Sequence, residues 1–125
     1  MTVLVMDDAA VVRERIVDWL SEITNVRTII QAGDTPAALK LIDEYRPHVL
    51  ILDIQVPGDL KAKNGIDVLK WAKKRYPASV VIMLTNFANR HYREECQRAG
   101  AEFFFDKSRE FDQLPAAIET ILKRR

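Results

Sequence analysis

The sequence predicts an α/β fold, a doubly wound sandwich in which five parallel strands are covered by helices on both faces. Three observations carry this. Five apolar runs have strand length: Val3 to Met6, Val26 to Ile30, Val49 to Leu52, Val80 to Leu84 and Phe103 to Phe105. Four of them are apolar at nearly every position instead of alternating, as strands buried on both faces are. Between the runs the apolar period becomes helical, and right-handed crossovers turn such alternation of strand and helix into a parallel sheet.

Each element has its own signals. The first run leads into Asp7-Asp8 and then a stripe of Val12, Ile16, Trp19, Leu20 and Ile23, one face of a helix. The second run contains Arg27 and Thr28 and reads as an edge strand. Asp34-Thr35-Pro36 is a cap with proline in the first turn, opening a helix through Leu39, Ile42 and Tyr45 that must stop before Pro47. After the third run comes a polar loop, Pro57 to Asn64, and then a helix on Ile66, Leu69, Ala72 and Tyr76, ended by Pro77. The fourth run leads into a helix on Tyr92, Cys96 and Ala99, closed by Gly100 and polar at most other positions. The fifth precedes a helix on Leu114, Ile118, Ile121 and Leu122.

Composition narrows the function. At 125 residues the expectation is one domain over 1–125, too short for an enzyme domain joined to a regulatory one. The net charge is +1, and neither sign forms a long block, so direct nucleic-acid binding or a membrane surface lacks its electrostatic footprint. The terminal Lys123-Arg124-Arg125 is a weak exception. Cys96 is the only cysteine, which excludes an intramolecular disulfide and a Cys-rich zinc site and fits a reducing cytoplasm. The first residues carry no basic start or cleavage site, so neither export nor membrane insertion is expected.

In an open α/β sheet the working residues lie beyond the carboxyl ends of the strands. Asp7 and Asp8 follow the first run, Asp53 the third, Thr85 the fourth, and Asp106 and Lys107 the fifth. The second is followed only by Gly33-Asp34. In the flavodoxin-like order 2-1-3-4-5 the four contributing strands are contiguous, and three carboxylates, a hydroxyl and an ammonium converge on one crevice. Three close carboxylates repel unless a cation lies among them, and hard oxygen donors without His or Cys select Mg²⁺ or Mn²⁺. A carboxylate beside such a metal, a lysine and a hydroxyl is equipment for in-line phosphoryl transfer to that carboxylate. Each residue alone has a plainer reading, as helix cap, turn residue or solvated cation. Their joint placement favours the site.

These residues resemble the receiver domain of two-component response regulators over essentially the whole chain. The resemblance rests on Val-Leu-Val-Met-Asp7-Asp8, Leu-Ile-Leu-Asp53-Ile-Gln-Val-Pro57, Met-Leu-Thr85-Asn and Phe104-Phe-Asp-Lys107. It implies Asp53 as phosphoacceptor, Asp7 and Asp8 as Mg²⁺ carboxylates, and the backbone carbonyl of Gln55 as a further metal ligand. It also implies Lys107 as the phosphate-contacting lysine, Thr85 as switch hydroxyl and Phe104 as switch aromatic, moving into space that Thr85 vacates. A histidine kinase or histidine phosphotransfer protein would be the donor. The domain would assist its own phosphorylation and dephosphorylation without acting on a separate substrate. Output would leave through the fourth helix, fifth strand and fifth helix, to an unknown protein target or a second copy of the chain.

Two departures stand out. Ser108 follows the lysine where the family usually has proline, and the loop from Pro57 to Gly65 is longer than usual. A cis Lys107-Ser108 bond would cost ~2.5–4 kcal/mol, so trans is expected. Elsewhere, His48 and His91 read as surface or packing residues, and Cys96 and Trp19 as core. Trp71 falls opposite the stripe of its helix, so either it marks a contact surface or the long loop covers it. The leading expectation is a stand-alone receiver, with a fragment of a longer regulator left open. A phosphorylation-independent adaptor on the same fold is the alternative. A flavin-type mononucleotide binder is disfavoured, because Asp7-Asp8-Ala9-Ala10 stands where a phosphate loop would need small hydroxyl and glycine residues.

Overall fold

The computed structural model describes residues 1–124. Strands β1 (Thr2–Met6), β2 (Thr28–Ala32), β3 (Val49–Leu52), β4 (Val80–Thr85) and β5 (Phe103–Asp106) alternate with helices α1 (Ala10–Ser21), α2 (Thr35–Tyr45), α3 (Gly65–Arg75), α4 (Arg90–Arg98) and α5 (Leu114–Lys123). All strand pairs are parallel, in the flavodoxin-like order β2-β1-β3-β4-β5.

Successive strand residues point to opposite faces, so each central strand feeds two cores. Leu4, Met6, Leu50, Leu52, Val81, Met83 and Phe104 pack with residues of α2, α3 and α4. Val3, Val5, Val49, Ile51, Ile82, Leu84 and Phe105 pack with Ile16 and Leu20 of α1 and Leu114 and Ile118 of α5. The continuous apolar runs exist because both faces are covered.

The second strand differs from the sequence expectation. It begins at Thr28 and runs to Ala32, two residues later than the apolar run. Val26 is instead held in a turn, its N–H donating to the Ile23 carbonyl at 3.0 Å. Pairing with β1 then carries Gln31 opposite Val5 and Ala32 opposite Met6. At an edge, backbone pairing sets the register, and polar side chains such as Thr28 and Gln31 stand exposed without penalty. Likewise α1 ends at Ser21, and Ile23 continues the stripe from the following turn, packed against the same core. A single 3₁₀ turn, Phe111–Gln113, leads into α5.

The caps follow the expected chemistry. The Asp34 carboxylate accepts from Ala37 N–H, and the Asn64 side chain accepts from Ile66 and Asp67 N–H. α2 ends on Arg46 in the left-handed region, and α4 is followed by Gly100 with φ 102.

Candidate phosphoacceptor site

The sheet ladder places the acidic residues. Asp53 N–H donates to the Met6 carbonyl at 3.0 Å and Asp7 N–H to the Ala32 carbonyl at 3.1 Å, so both continue β-pairing one residue past the strand ends. Lys107 does the same beyond β5, its N–H donating to the Thr85 carbonyl at 2.9 Å. Asp7 and Asp53 are buried and Asp8 is exposed; one oxygen from each lies within 4.8 Å of the others. The sequence reading placed these four residues together, and the structure brings them together.

Lys107 crosses the cleft. Its Nζ donates to Asp7 Oδ2 at 2.5 Å and to Asp53 Oδ2 at 2.6 Å. Burial pushes the ammonium toward losing its proton, but the hydrogen bonds and charges of Asp53 and Asp7 outweigh burial and hold its pKa above the ordinary lysine value. The second Asp53 oxygen, Oδ1, is buried and has no hydrogen-bond partner among the described residues. Buried polar atoms are normally satisfied. An orphaned carboxylate oxygen beside two further carboxylates fits a site that takes a cation and an electrophile. Asp7, Asp8 and Asp53 can hold a hard divalent ion, and Gln55 lines the same cleft.

Thr85 is fully buried, and its Oγ1 accepts the Phe87 N–H at 3.1 Å. Phe104 is also buried already, in the core with Met83 and Cys96. It is tied to α4 by Arg93, whose guanidinium stacks 4.7 Å from the ring centroid and donates to the Phe104 carbonyl at 3.1 Å. Arg93 also meets Glu110 at 3.4 Å.

The bond before Ser108 is trans, there being no cis peptide among the described residues. Ser108 has a local use: its N–H and Oγ both donate to Asp106 Oδ1, at 2.9 and 2.7 Å. These bonds hold the Asp106 carboxyl below its ordinary pKa. A proline here would lack both donors.

Trp71 keeps part of its ring at the surface. It is half-buried against the α2–α4 core, edge-on to Tyr76 at 6.3 Å, with the Arg75 guanidinium 5.1 Å from its ring. The long loop is clamped instead to the start of α2. Thr35 N–H donates to the Pro57 carbonyl at 2.9 Å and Thr35 Oγ1 to the Ala62 carbonyl at 2.6 Å. Cys96 is buried as expected, and His48 Nδ1 accepts the Thr2 N–H at 3.0 Å.

Two contributors were not read from the sequence. Arg13 on α1 donates from Nη1 to the Asp7 carbonyl at 2.6 Å and from Nε to Gln31 Oε1 at 3.2 Å, fixing the β1–α1 loop. An arginine among charged helix positions gives no such signal. Gly65 opens α3 directly over β3, where an added Cβ would lie 1.8 Å from the Asp53 carbonyl oxygen. Only glycine admits that approach.

The chain belongs to the response regulator receiver domain family, which it matches over residues 3–119. It is similar to the Fimbriae Z protein of Salmonella typhimurium, 26% identical over 97% of this chain and 56% of that protein. It is also similar to the oxygen regulatory protein NreC of Staphylococcus aureus, 28% identical over 98% of this chain and 55% of that protein. The chain thus spans about half the length of these curated relatives. Among solved structures, the isolated REC domain of RcsB from Salmonella enterica serovar Typhimurium, in the presence of phosphomimetic BeF3⁻, superimposes with a TM-score of 0.90. That match is 28% identical and covers 98% of this chain and 88% of that one. Receivers are signalling domains of two-component systems. Among the described residues no helix is long and apolar enough to cross a membrane.

Proposed function

We infer that residues 1–125 act as one receiver whose Asp53 accepts a phosphoryl group from a phosphohistidine of a kinase or phosphotransfer protein. The observation that carries this is the unpartnered Asp53 Oδ1 in a cleft with Asp7, Asp8 and Lys107. Oδ1 attacks phosphorus, the donor's P–N bond breaks, and the imidazole leaves as the new acyl phosphate forms. Lys107 transfers its contact from the Asp53 carboxylate to a phosphoryl oxygen, remaining anchored by Asp7. A divalent ion held by Asp7, Asp8, Asp53 and the Gln55 carbonyl would neutralise the charge that develops on the phosphoryl oxygens. Hydrolysis of the acyl phosphate returns Asp53 to its starting state, so no separate substrate is turned over.

Thr85 links the site to the surface. Its hydroxyl is held by the Phe87 N–H, so turning toward a phosphoryl group exchanges that bond and frees the β4–α4 loop. Movement near Phe104 is passed to α4 through Arg93. The surface of α4, β5 and α5 is therefore the output face, for a downstream protein or a second copy. A cytoplasmic location accords with the family and with the single cysteine.

The test is intact mass after incubation with acetyl phosphate. One phosphoryl group should be gained in Mg²⁺, located to Asp53, and not gained when a chelator is present from the start. Asp53→Asn should remain folded and unlabelled. Undiminished labelling of that variant, or equal labelling without divalent metal, overturns the assignment.

A further inference from the structure

The phosphoacceptor cleft is about 250 Å³. A groove of about 600 Å³, more than twice that size, lies at the opposite end of the sheet. The groove opens among the turns after α2 and α3, the starts of β3 and β4, and the last turn of α5. That volume falls in the range of small-molecule sites.

Its walls are mostly apolar, from Pro47, Pro77, Val80 and Ile121, and its rim is cationic, with Arg46, Arg75 and Arg124. Arg75 is paired with Asp43 at 3.1 Å. Arg46 and Arg124 form no ion pair with a described carboxylate. Glu102, the acidic residue of the lining, is already engaged, accepting from Lys73 Nζ at 2.7 Å and from Val81 N–H at 2.9 Å. Among the described residues the groove therefore presents two guanidiniums without a carboxylate partner above an apolar floor.

Arg46 adds an independent observation. It holds φ 47 and ψ 62, the left-handed region, at a helix end where glycine costs least. An arginine is kept there at a backbone cost, with its guanidinium 5.6 Å from the Tyr76 ring centroid. Tyr76 is itself fixed by donating its hydroxyl to Asp43 at 2.5 Å.

We propose that this groove is a second binding site, separate from Asp53, for a small organic anion. Its carboxylate, sulfonate or phosphate head meets Arg46 and Arg124, and its apolar or aromatic body lies against Pro47, Tyr76 and Ile121. Head and body are both required: neither the floor nor the rim alone distinguishes this groove from ordinary surface.

The test uses the full chain, unphosphorylated, and three probes: anilinonaphthalene sulfonate, phenylnaphthylamine, which is the same body without the charge, and inorganic sulfate. The sulfonate should bind saturably at one site, shifting backbone amides of residues 46–48, 76–80 and 121–124. The neutral body and the bare anion should each bind at least about tenfold more weakly. Arg46→Gly, which suits the backbone there, combined with Arg124→Gln should lower sulfonate affinity about tenfold without lowering the melting temperature and with acetyl phosphate labelling unchanged. Should the double variant fold poorly, Arg124→Gln alone at the exposed helix end is read in the same way. Asp53→Asn should bind the probe normally, which separates this site from the phosphoacceptor reading. Amide shifts centred instead on the exposed apolar side chains of Phe87, Val11 or Leu60, equal binding of the neutral body, or undiminished binding by the arginine variants overturns the proposal.

Discussion

Lys107 is both a catalytic candidate and a structural counter-ion, and the two roles give separate measurements. Removing it leaves Asp7 and Asp53, with side chains 3% and 8% exposed, facing each other without a cation. Lys107→Ala should therefore cost about 2–4 kcal/mol in metal-free buffer, below the usual cost of breaking a buried pair because the cleft opens to water. Mg²⁺ should restore much of that loss in a denaturant titration; an equal loss with and without Mg²⁺ would show that the carboxylates do not bind the ion together. The folded pKa of Lys107 lies above its unfolded value of 10.5. Its contribution is thus complete below that pH and lost as pH rises through the folded value, so the melting temperature should fall more steeply above about pH 10.5 in wild type than in Lys107→Ala. Asp106 runs the other way. Its pKa is depressed by Ser108, so that stabilisation is present above 3.8 and lost as pH falls, and Ser108→Ala should raise the Asp106 pKa in an NMR titration. Asp7, Asp8, Asp53, Thr85 and Lys107 were legible in the sequence because each lies within two residues of the end of an apolar run, and strand ends converge. Arg13 and Ser108 were not, because a side chain that holds a backbone carbonyl or a neighbouring carboxylate leaves no periodic trace.

The helices differ in how firmly they are held, and two predictions follow from that difference. α3 begins at Gly65 pressed against β3, so Gly65→Ala must push the helix off the Asp53 carbonyl that would lie 1.8 Å from the new Cβ. Roughly 3 kcal/mol or more should be lost, with labelling of Asp53 reduced even in the folded fraction. α4 is the opposite case, since Cys96 is its one buried residue. Burial pushes that thiol from 9.0 up to about 11, so at a given pH the folded protein holds roughly a hundredfold less thiolate than the unfolded chain. Thiol labelling at pH 8 should therefore be slow and limited by opening of α4, and phosphorylation should change its rate. Labelling as fast as in denaturant would mean that α4 is not packed. The alternation of elements and the narrow apolar face of α4 were legible because buried faces impose their period on the sequence. The start of β2 was not, because an edge strand takes its register from backbone bonds to β1, which Thr28 and Gln31 satisfy as well as valine would.

At the scale of the whole molecule, the sheet separates two faces and two ends. The phosphoacceptor cleft lies beyond the carboxyl ends of the strands, and the arginine-rimmed groove beyond the amino ends. The connections between them are the central strands, buried on both sides and therefore the least able to change shape at low cost. A change at Asp53 should accordingly spread sideways through weakly anchored elements, not lengthwise down the sheet. Thr85 holds the Phe87 N–H at the start of the β4–α4 segment, and Arg93 links α4 to Phe104 and Glu110. On adding Mg²⁺ and a phosphoryl mimic, amide exchange should change from 86 to 100 and around Phe104, while residues 46–48 and 76–80 at the far groove remain as they were. Changes confined to α1 and α3 would move the output route to the clamped 57–64 loop and the Trp71 face. Changes reaching the far groove would mean that the β4 backbone carries the signal along its length, and the two ends would then be coupled. Coupling is reciprocal, so a probe held at Arg46 and Arg124 would in that case alter the phosphorylation of Asp53, whereas two independent ends predict no effect of the probe on the labelling rate.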